Sequence, residues 1–236
     1  MKSAPAHSIQ RVSFCTLAGV ESVRLEGEEI VGRFASNPKP FYGMKGKRLF
    51  EEFANWPSDP AGVLRFTRRF GPLAEKPDAG SAFRFRCDAW RDDQEGFRLL
   101  WGLVQIEPPL PSTSSWGKRV GDVFDEVLRF DGAGGWHLVA DPGDAWRYVN
   151  GALIYNAATL FRFVVLELLS VPHGRLRTCA RPDCPHPHFV ARHLNQNYCS
   201  EPCAAWGQSQ WKRKWWGERG QEWRKRRTKR SQRKRR

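Results

Sequence analysis

Nowhere in the 236 residues do about 18 apolar residues run together without a charge, so no transmembrane helix is expected. The first ten residues, MKSAPAHSIQ, lack the apolar core of a secretory signal, which points to the cytoplasm, where thiols stay reduced. In that setting six cysteines are expected to bind metal rather than to pair as disulfides. A phosphate loop is missing too. The Gly-rich run DGAGGWH is not followed by Lys-Ser or Lys-Thr and reads as a hairpin turn. Residues 1–174 show no nucleophile–base spacing and no catalytic metal motif, so the chain is not expected to be an enzyme. Internal repeats are absent as well.

Another shortage is local. Residues 175–236 hold 4 Asp+Glu against 18 Lys+Arg, whereas residues 1–174 hold 21 of each. The whole formal excess of +14 therefore lies in the last 62 residues. A neutral body with a basic end calls for a polyanion partner: nucleic acid first, an acidic membrane surface second.

What is present suffices for a folded protein. Hydrophobic residues make up 40% and aromatics 13%, and the length allows one large or two small domains. SVRLEGEEIVGRF reads as an extended stretch with a Gly turn inside, SNPKPFYGMKG as a loop, and KRLFEEFANW as a short helix. In SDPAGVLRFTRRFGPLA, Asp59 can cap a helix with Pro60 at its first position. Val63, Leu64, Phe66, Thr67 and Phe70 keep its apolar spacing, and Gly71-Pro72 ends it. FRCDAWRDDQEGFRLLWGLVQIE reads as a helix with Trp90, Phe97, Leu100, Trp101 and Val104 inward, stopped by Pro108, Pro109 and Pro111. PPLPSTSSWG reads as a linker, DGAGG as a turn and WHLVA as a short strand. DPGDAWRYVNGALIYNAATLFRFVVLELL reads as the strongest helix of the chain. Asp144 would be its N-cap and Trp146, Val149, Ala152, Leu153, Leu160, Val164 and Leu168 one face, interrupted by Asn156. These apolar stripes are expected to be core.

The chemistry concentrates between Cys179 and Cys203. The spacing Cys179-x4-Cys184-x14-Cys199-x3-Cys203 is two close pairs around a short insert, the way one chain wraps four ligands around one ion. Pro182-Asp183 favours a tight turn that aims the first pair inward. In YCSEPCAAW, Ser200 can cap a helix, leaving Cys199 just outside it and Cys203 in its first turn. The helix N-terminus favours thiolate. Between the pairs a hairpin is expected, with Phe189-Val190 as one strand and Asn197-Tyr198 near the other. Four thiolates suit one structural zinc ion. A mixed site using His186, His188 or His193, an iron–sulfur centre, and four unrelated core cysteines are the alternatives. Cys15 and Cys87 stand apart and read as buried thiols.

Residues 211–236 hold 14 Lys+Arg and 2 Asp+Glu, interleaved with Trp211, Trp215, Trp216 and Trp223. Lys212, Arg213, Lys214, Arg224, Lys225, Arg226 and Arg227 are the candidate nucleic-acid contacts, binding phosphates with a steep dependence on salt. Trp211 and Trp215, four apart, can share a helix face that docks on the zinc module or stacks on bases. Gly217 and Gly220 argue against one unbroken helix, and the last residues read as disordered until a partner is present. The bland alternative is a solubilising tail.

RLRTCARPDC…NQNYCSEPCA, preceded by an apolar helix and followed by a basic one, resembles the CGNR-type zinc finger over about residues 175–216. VLRFTRRFGPL and the long helix before the finger are similar to the mostly helical bacterial ABATE domain that precedes such fingers, over about residues 20–170. The resemblance implies zinc ligation by Cys179, Cys184, Cys199 and Cys203, and a stress-linked transcription regulator whose finger binds DNA. Where that family carries Gly-Asn-Arg after the last cysteine, this chain has Ala204-Ala205-Trp206, so DNA contact through that triplet does not carry over.

The expected fold is therefore mainly α (α+β): a helical N-terminal body with minor strands (residues 1–174), a small treble-clef-like zinc module (175–216) and a basic tail (217–236). The expected function is zinc-dependent nucleic-acid binding, DNA before RNA, by a bacterial transcription regulator whose neutral body senses a ligand or a protein partner. The rival is a scaffold protein with a structural zinc and a sequence-blind anchor.

Overall fold

The computed structural model describes residues 13–42, 48–75, 78–105, 128–130, 136–138, 145–149, 152–172 and 174–233. The chain divides into two compact units, 1–173 and 174–236.

The first unit is built on a long hairpin. β1 (Ser13–Glu26) pairs antiparallel with β2 (Glu29–Phe41), as the alternating SVRLEGEEIVGRF stretch predicts. Glu26 faces Glu29 across Gly27-Glu28, and Gly27 takes φ 64°, the left-handed value a tight two-residue turn needs and a side chain resists. β3 (Ala82–Arg86) adds antiparallel to the first part of β2. A separate ladder joins β4 (Leu128–Phe130) to β5 (Trp136–Leu138), the latter inside the expected WHLVA strand. β6 (Ala145–Val149) pairs antiparallel with β7 (Ala152–Asn156), which runs parallel to the start of β1. The five-stranded sheet has the order β3-β2-β1-β7-β6.

Among the described residues this unit also holds four helices: α1 (Leu49–Asn55), α2 (Pro60–Phe70), α3 (Cys87–Gln105) and α4 (Leu160–Leu169). α2 follows the cap chemistry of its sequence. The Asp59 carboxylate accepts from the Gly62 N–H at 2.8 Å, Pro60 opens the helix, and Gly71 closes it at φ 98°. Trp90, Phe97, Leu100 and Trp101 of α3 are buried as their spacing predicts, and Cys87 is a buried thiol. Phe53 of α1 sits at the centre of the core, its ring meeting those of Phe66, Trp90, Phe97 and Phe161 at 5.2–6.3 Å, mostly edge to face. Ile30, Phe34 and Phe83 bring the inner face of the sheet into the same apolar interior. On the outer face, Arg24, Glu26, Glu29 and Arg84 form an exposed ladder of ion pairs across β1, β2 and β3.

Several expectations are corrected. The body is mixed α+β, and its strands are not minor. Ala145–Val149 and Ala152–Asn156 are paired strands rather than the first half of a helix; among the described residues of that stretch only Leu160–Leu169 is helical, and Thr159, not Asp144, caps it by accepting from the Arg162 N–H. Val149 pairs with Ala152, and in the sequence the intervening dipeptide Asn150-Gly151 is the one most typical of two-residue hairpins, with β-forming Trp, Tyr, Val and Ile on either side. Asp144 itself lies outside the described residues. The SNPKPF part of the expected loop is strand: Pro38 and Pro40 are two residues apart, so both lack an N–H on one side, and β3 pairs with Glu29–Arg33, short of the prolines. Phe85 and Arg86 end β3 instead of opening α3. The linker PPLPSTSSWG, the DGAGG turn and Pro108, Pro109 and Pro111 fall outside the described residues. Among the described residues no helix is long and apolar enough to cross a membrane.

α1 has seven residues, too few to hold itself. Arg48 at its N-cap offers no side-chain bond, and Glu167 of α4 takes that place: its carboxylate accepts from the Phe50 N–H at 3.3 Å. At the other end Gln94 of α3 donates to Phe53 O and Trp56 O, and Arg98 donates to Ala54 O. The charges match the helix dipole at both ends. Burial pushes the Glu167 carboxyl up from 4.5 to about 7, against the two backbone N–H groups that stabilise its anion. A raised carboxyl favours the protonated form on folding. Its stabilisation is full below about pH 4.5 and is lost as the pH rises through about 7, a swing of roughly 3 kcal/mol. Glu167→Gln keeps an acceptor for α1 without a charge to bury. The variant is expected to unfold at equal or higher urea than the wild type at about pH 8, with a flatter stability profile between about pH 5 and 8.

Candidate metal centre and basic helix

The second unit starts with two short strands. β8 (Leu176–Thr178) pairs antiparallel with β9 (His188–Val190), and Cys179 follows β8 directly. The Cys179 N–H donates to Pro187 O at 2.7 Å, carrying the ladder one step further. The chain then folds back tightly: the Cys184 N–H donates to Arg181 O, with Pro182-Asp183 inside the turn. The Ala180 N–H donates to Asn197 O, which lays the segment before the second cysteine pair beside the first. α5 (Glu201–Arg233) begins one residue after Ser200, whose carbonyl accepts from the Ala204 N–H. Cys199 is thus just outside the helix and Cys203 in its first turn, as expected. The hairpin partner of Phe189-Val190 is not Asn197-Tyr198 but Leu176–Thr178, upstream of the first cysteine.

These elements bring four sulfurs together. The Sγ atoms of Cys179, Cys184, Cys199 and Cys203 all lie within 4.8 Å of one another. Cys184–Cys199, Cys199–Cys203 and Cys203–Cys184 are 3.5, 3.7 and 3.8 Å apart. The quartet can hold a metal ion. A tetrahedron of thiolates bonded at about 2.3 Å has sulfur–sulfur edges of about 3.8 Å, so the spacing suits one ion at the centre. His186, His188 and His193 are not members of the cluster. Cys179 and Cys203, with Phe189 and Ala191, are the buried core of this unit, and Cys184, Tyr198 and Cys199 pack against them. The four cysteines therefore make up a large part of this small cluster.

The electrostatics follow. Burial pushes the Cys184 thiol up to about 12, although the His186 N–H donates to its sulfur, and burial raises Cys199 as well. Beside the Ser200 hydroxyl, Cys203 falls to about 7. Four sulfurs at this spacing cannot all ionise without a cation among them. Arg181 contributes a positive charge at the rim. Its guanidinium grips Asp183 through two bonds of 2.8 and 2.9 Å, holds that carboxyl down at about 2, and also interacts with Cys203. Arg175 donates to Ala191 O and Arg192 O, and Arg177 to Leu194 O. These three arginines brace the loops around the sulfurs. Their alternation along Arg175, Arg177 and Arg181 was the available sequence signal, hidden within the general basic excess.

α5 runs without a break from Glu201 to Arg233, through both Gly217 and Gly220. The expected interruption is absent: Gly217 stands in open space within the helix, while Gly207 and Gly220 receive rings. A Cβ on Gly207 would fall within the Tyr198 ring, and one on Gly220 would meet Trp216 carbon at 2.5 Å. Trp211, Trp216 and Trp223 are 65%, 45% and 40% exposed. Trp216 meets Trp215 at 5.0 Å and Trp223 at 5.4 Å, edge to face both times, and the Arg227 guanidinium lies 5.1 Å from the Trp223 ring centre. Lys212, Arg213, Lys214, Arg224, Arg226 and Arg227 are exposed on the helix. Lys225 is on it too, its side chain outside the described residues. Lys214 pairs along the helix with Glu218 and Arg226 with Glu222.

Among known protein families, curated proteins and solved structures, nothing matches this chain.

Gly207→Ala places a methyl where the Tyr198 ring lies. Alanine is the better helix former by about 1 kcal/mol, yet overpacking costs roughly 1–3 kcal/mol. The variant is expected to lose bound metal to a chelator faster than the wild type, and Tyr198→Ala in the same chain to restore part of the difference; stopped-flow chelator competition measures both.

Proposed function

We propose that the protein is a zinc-dependent nucleic-acid-binding protein, a bacterial DNA-binding transcription regulator of the CGNR type. In this reading one structural zinc ion is held by Cys179, Cys184, Cys199 and Cys203 in a treble-clef-like module. The observation that carries it is the launching of a basic helix from a four-sulfur centre: Cys199 and Cys203 flank the start of α5, and α5 carries Lys212, Arg213, Lys214, Arg224, Lys225, Arg226 and Arg227. Four soft thiolates at tetrahedral spacing leave no position for water, so the ion is structural. A cluster of several irons would spread its cysteines over different metal atoms, farther apart than 3.5–3.8 Å. Zinc with four thiolates carries a net −2, which Arg181 partly offsets. The knuckle lies between the paired strands β8 and β9, and the helix start that carries Cys203 follows; the knuckle and the cysteine-bearing helix start are what support the treble-clef-like reading. The first unit, net neutral by sequence, is the sensing or partner-binding half, and the cytoplasm is its place.

Zinc is expected to leave on acidification, because protons compete for the thiolates, and with it the helix start loses its anchor. The test is selection of bound species from random DNA and RNA pools, with zinc and with chelator. A zinc-dependent DNA motif, preferred over bulk DNA by about a thousandfold or more, supports the regulator. Sequence-blind binding that is unchanged by chelator and lost at high salt means an electrostatic anchor on a scaffold protein. Removing one phosphate-binding Lys or Arg of α5 is expected to weaken all sequences alike and lower the salt slope by about one.

A further inference from the structure

The charge of α5 accounts for phosphates and leaves its indoles unexplained. Between Trp211 and Trp223 the helix buries almost nothing, and yet it exposes three tryptophans. Exposed tryptophan on a helix without a packing partner is unfavourable unless something covers it. These indoles are also pre-positioned. Trp216 is seated over Gly220 and held edge to face between Trp215 and Trp223, while Trp211, one turn before Trp215, is open over 65% of its surface. We propose that this stretch of α5, Trp211–Arg227, binds unpaired nucleic-acid bases, with Trp211 and Trp216 as stacking platforms and the surrounding Lys and Arg on the phosphates. This rests on the nucleic-acid reading above and specifies which form of nucleic acid the helix takes.

Three features select that occupant. The complementarity is to a polyanion, since residues 211–236 carry 14 Lys+Arg and 2 Asp+Glu. An acidic membrane surface would suit a helix with its apolar residues on one side and its cations on the other, but Lys212, Arg213 and Lys214 are consecutive and Arg219, Arg224 and Arg227 follow. At 100° per residue the cations surround the helix, and lying flat would press some of them into the acyl region. A paired duplex hides its base faces within the stack, whereas unpaired bases present them to aromatic side chains. From Trp211 to Trp223 is about 18 Å along the helix, the length of about five stacked nucleotides at 3.4 Å each. Gly220 then has a role beyond the helix: it lets Trp216 lie down across its own turn.

The test uses the full chain loaded with zinc. Binding of a fluorescent oligothymidylate and an oligouridylate is compared with a duplex of equal length across a salt series, with anionic lipid vesicles as competitor. Tighter binding of a single strand, with Trp211→Ala and Trp216→Ala each lowering its affinity about tenfold and sparing the duplex, is the expected result. The DNA and RNA arms show whether the 2′-hydroxyl matters. Gly220→Ala makes a better helix former and removes the seat of Trp216, so it is expected to keep the circular dichroism and still weaken single-strand binding. Equal or tighter binding of the duplex, equal loss of both forms in the tryptophan variants, or displacement by vesicles overturns this inference and leaves the nucleic-acid reading standing. Failure of every nucleic acid to bind overturns both.

Discussion

Four cysteine sulfurs held within 4.8 Å of each other are the constraint on which the second unit depends. Without a cation among them such thiols resist ionising together, because burial raises Cys184 and Cys199 even as the Ser200 hydroxyl lowers Cys203. Every local device around it serves to bring the sulfurs in: the Pro182-Asp183 turn, the backbone bond from Ala180 to Asn197, and a helix that starts between the last two ligands. Phe189, Ala191 and Tyr198 add little apolar volume of their own. In a unit this size, an ion held by the four cysteines would do the work that an apolar core does in a larger one.

The first unit solves a different problem by similar means. α1 is a single short helix in the middle of an aromatic core, and its ends would leave backbone groups unsatisfied. Side chains from two other helices meet them: Glu167 at one end, Gln94 and Arg98 at the other. Buried Gln94 and half-buried Glu167 and Arg98 hold the helix that carries Phe53, whose ring meets those of Phe66, Trp90, Phe97 and Phe161. The apolar interior is ordered by a few hydrogen bonds at the ends of one helix.

Local chemistry was legible in the sequence and distant pairing was not. Asp59, Pro60 and Gly71 delimit α2 because caps act within a few residues, and the two cysteine pairs announce their convergence because each pair closes a short loop. The β6–β7 hairpin was misread because Trp146, Val149 and Leu153 also satisfy a helical period, and Asn150-Gly151 was the better guide. Glu167 meets Phe50 across 117 positions, and no spacing rule reaches that far. Gly217 and Gly220 looked like breaks since propensity is all that a sequence shows of a glycine; that Trp216 occupies the space above Gly220 is a fact of packing.

The continuity of α5 makes it a lever. A helix of 33 residues is about 50 Å long, and its root is the turn that carries Cys203. A tilt of about 10° at the root swings the far end by roughly 9 Å over that length, more than the spacing between two stacked bases. The geometry of the four-sulfur site therefore bears on the aim of side chains many turns away, and small distortions of the sulfur cage are magnified along the rod.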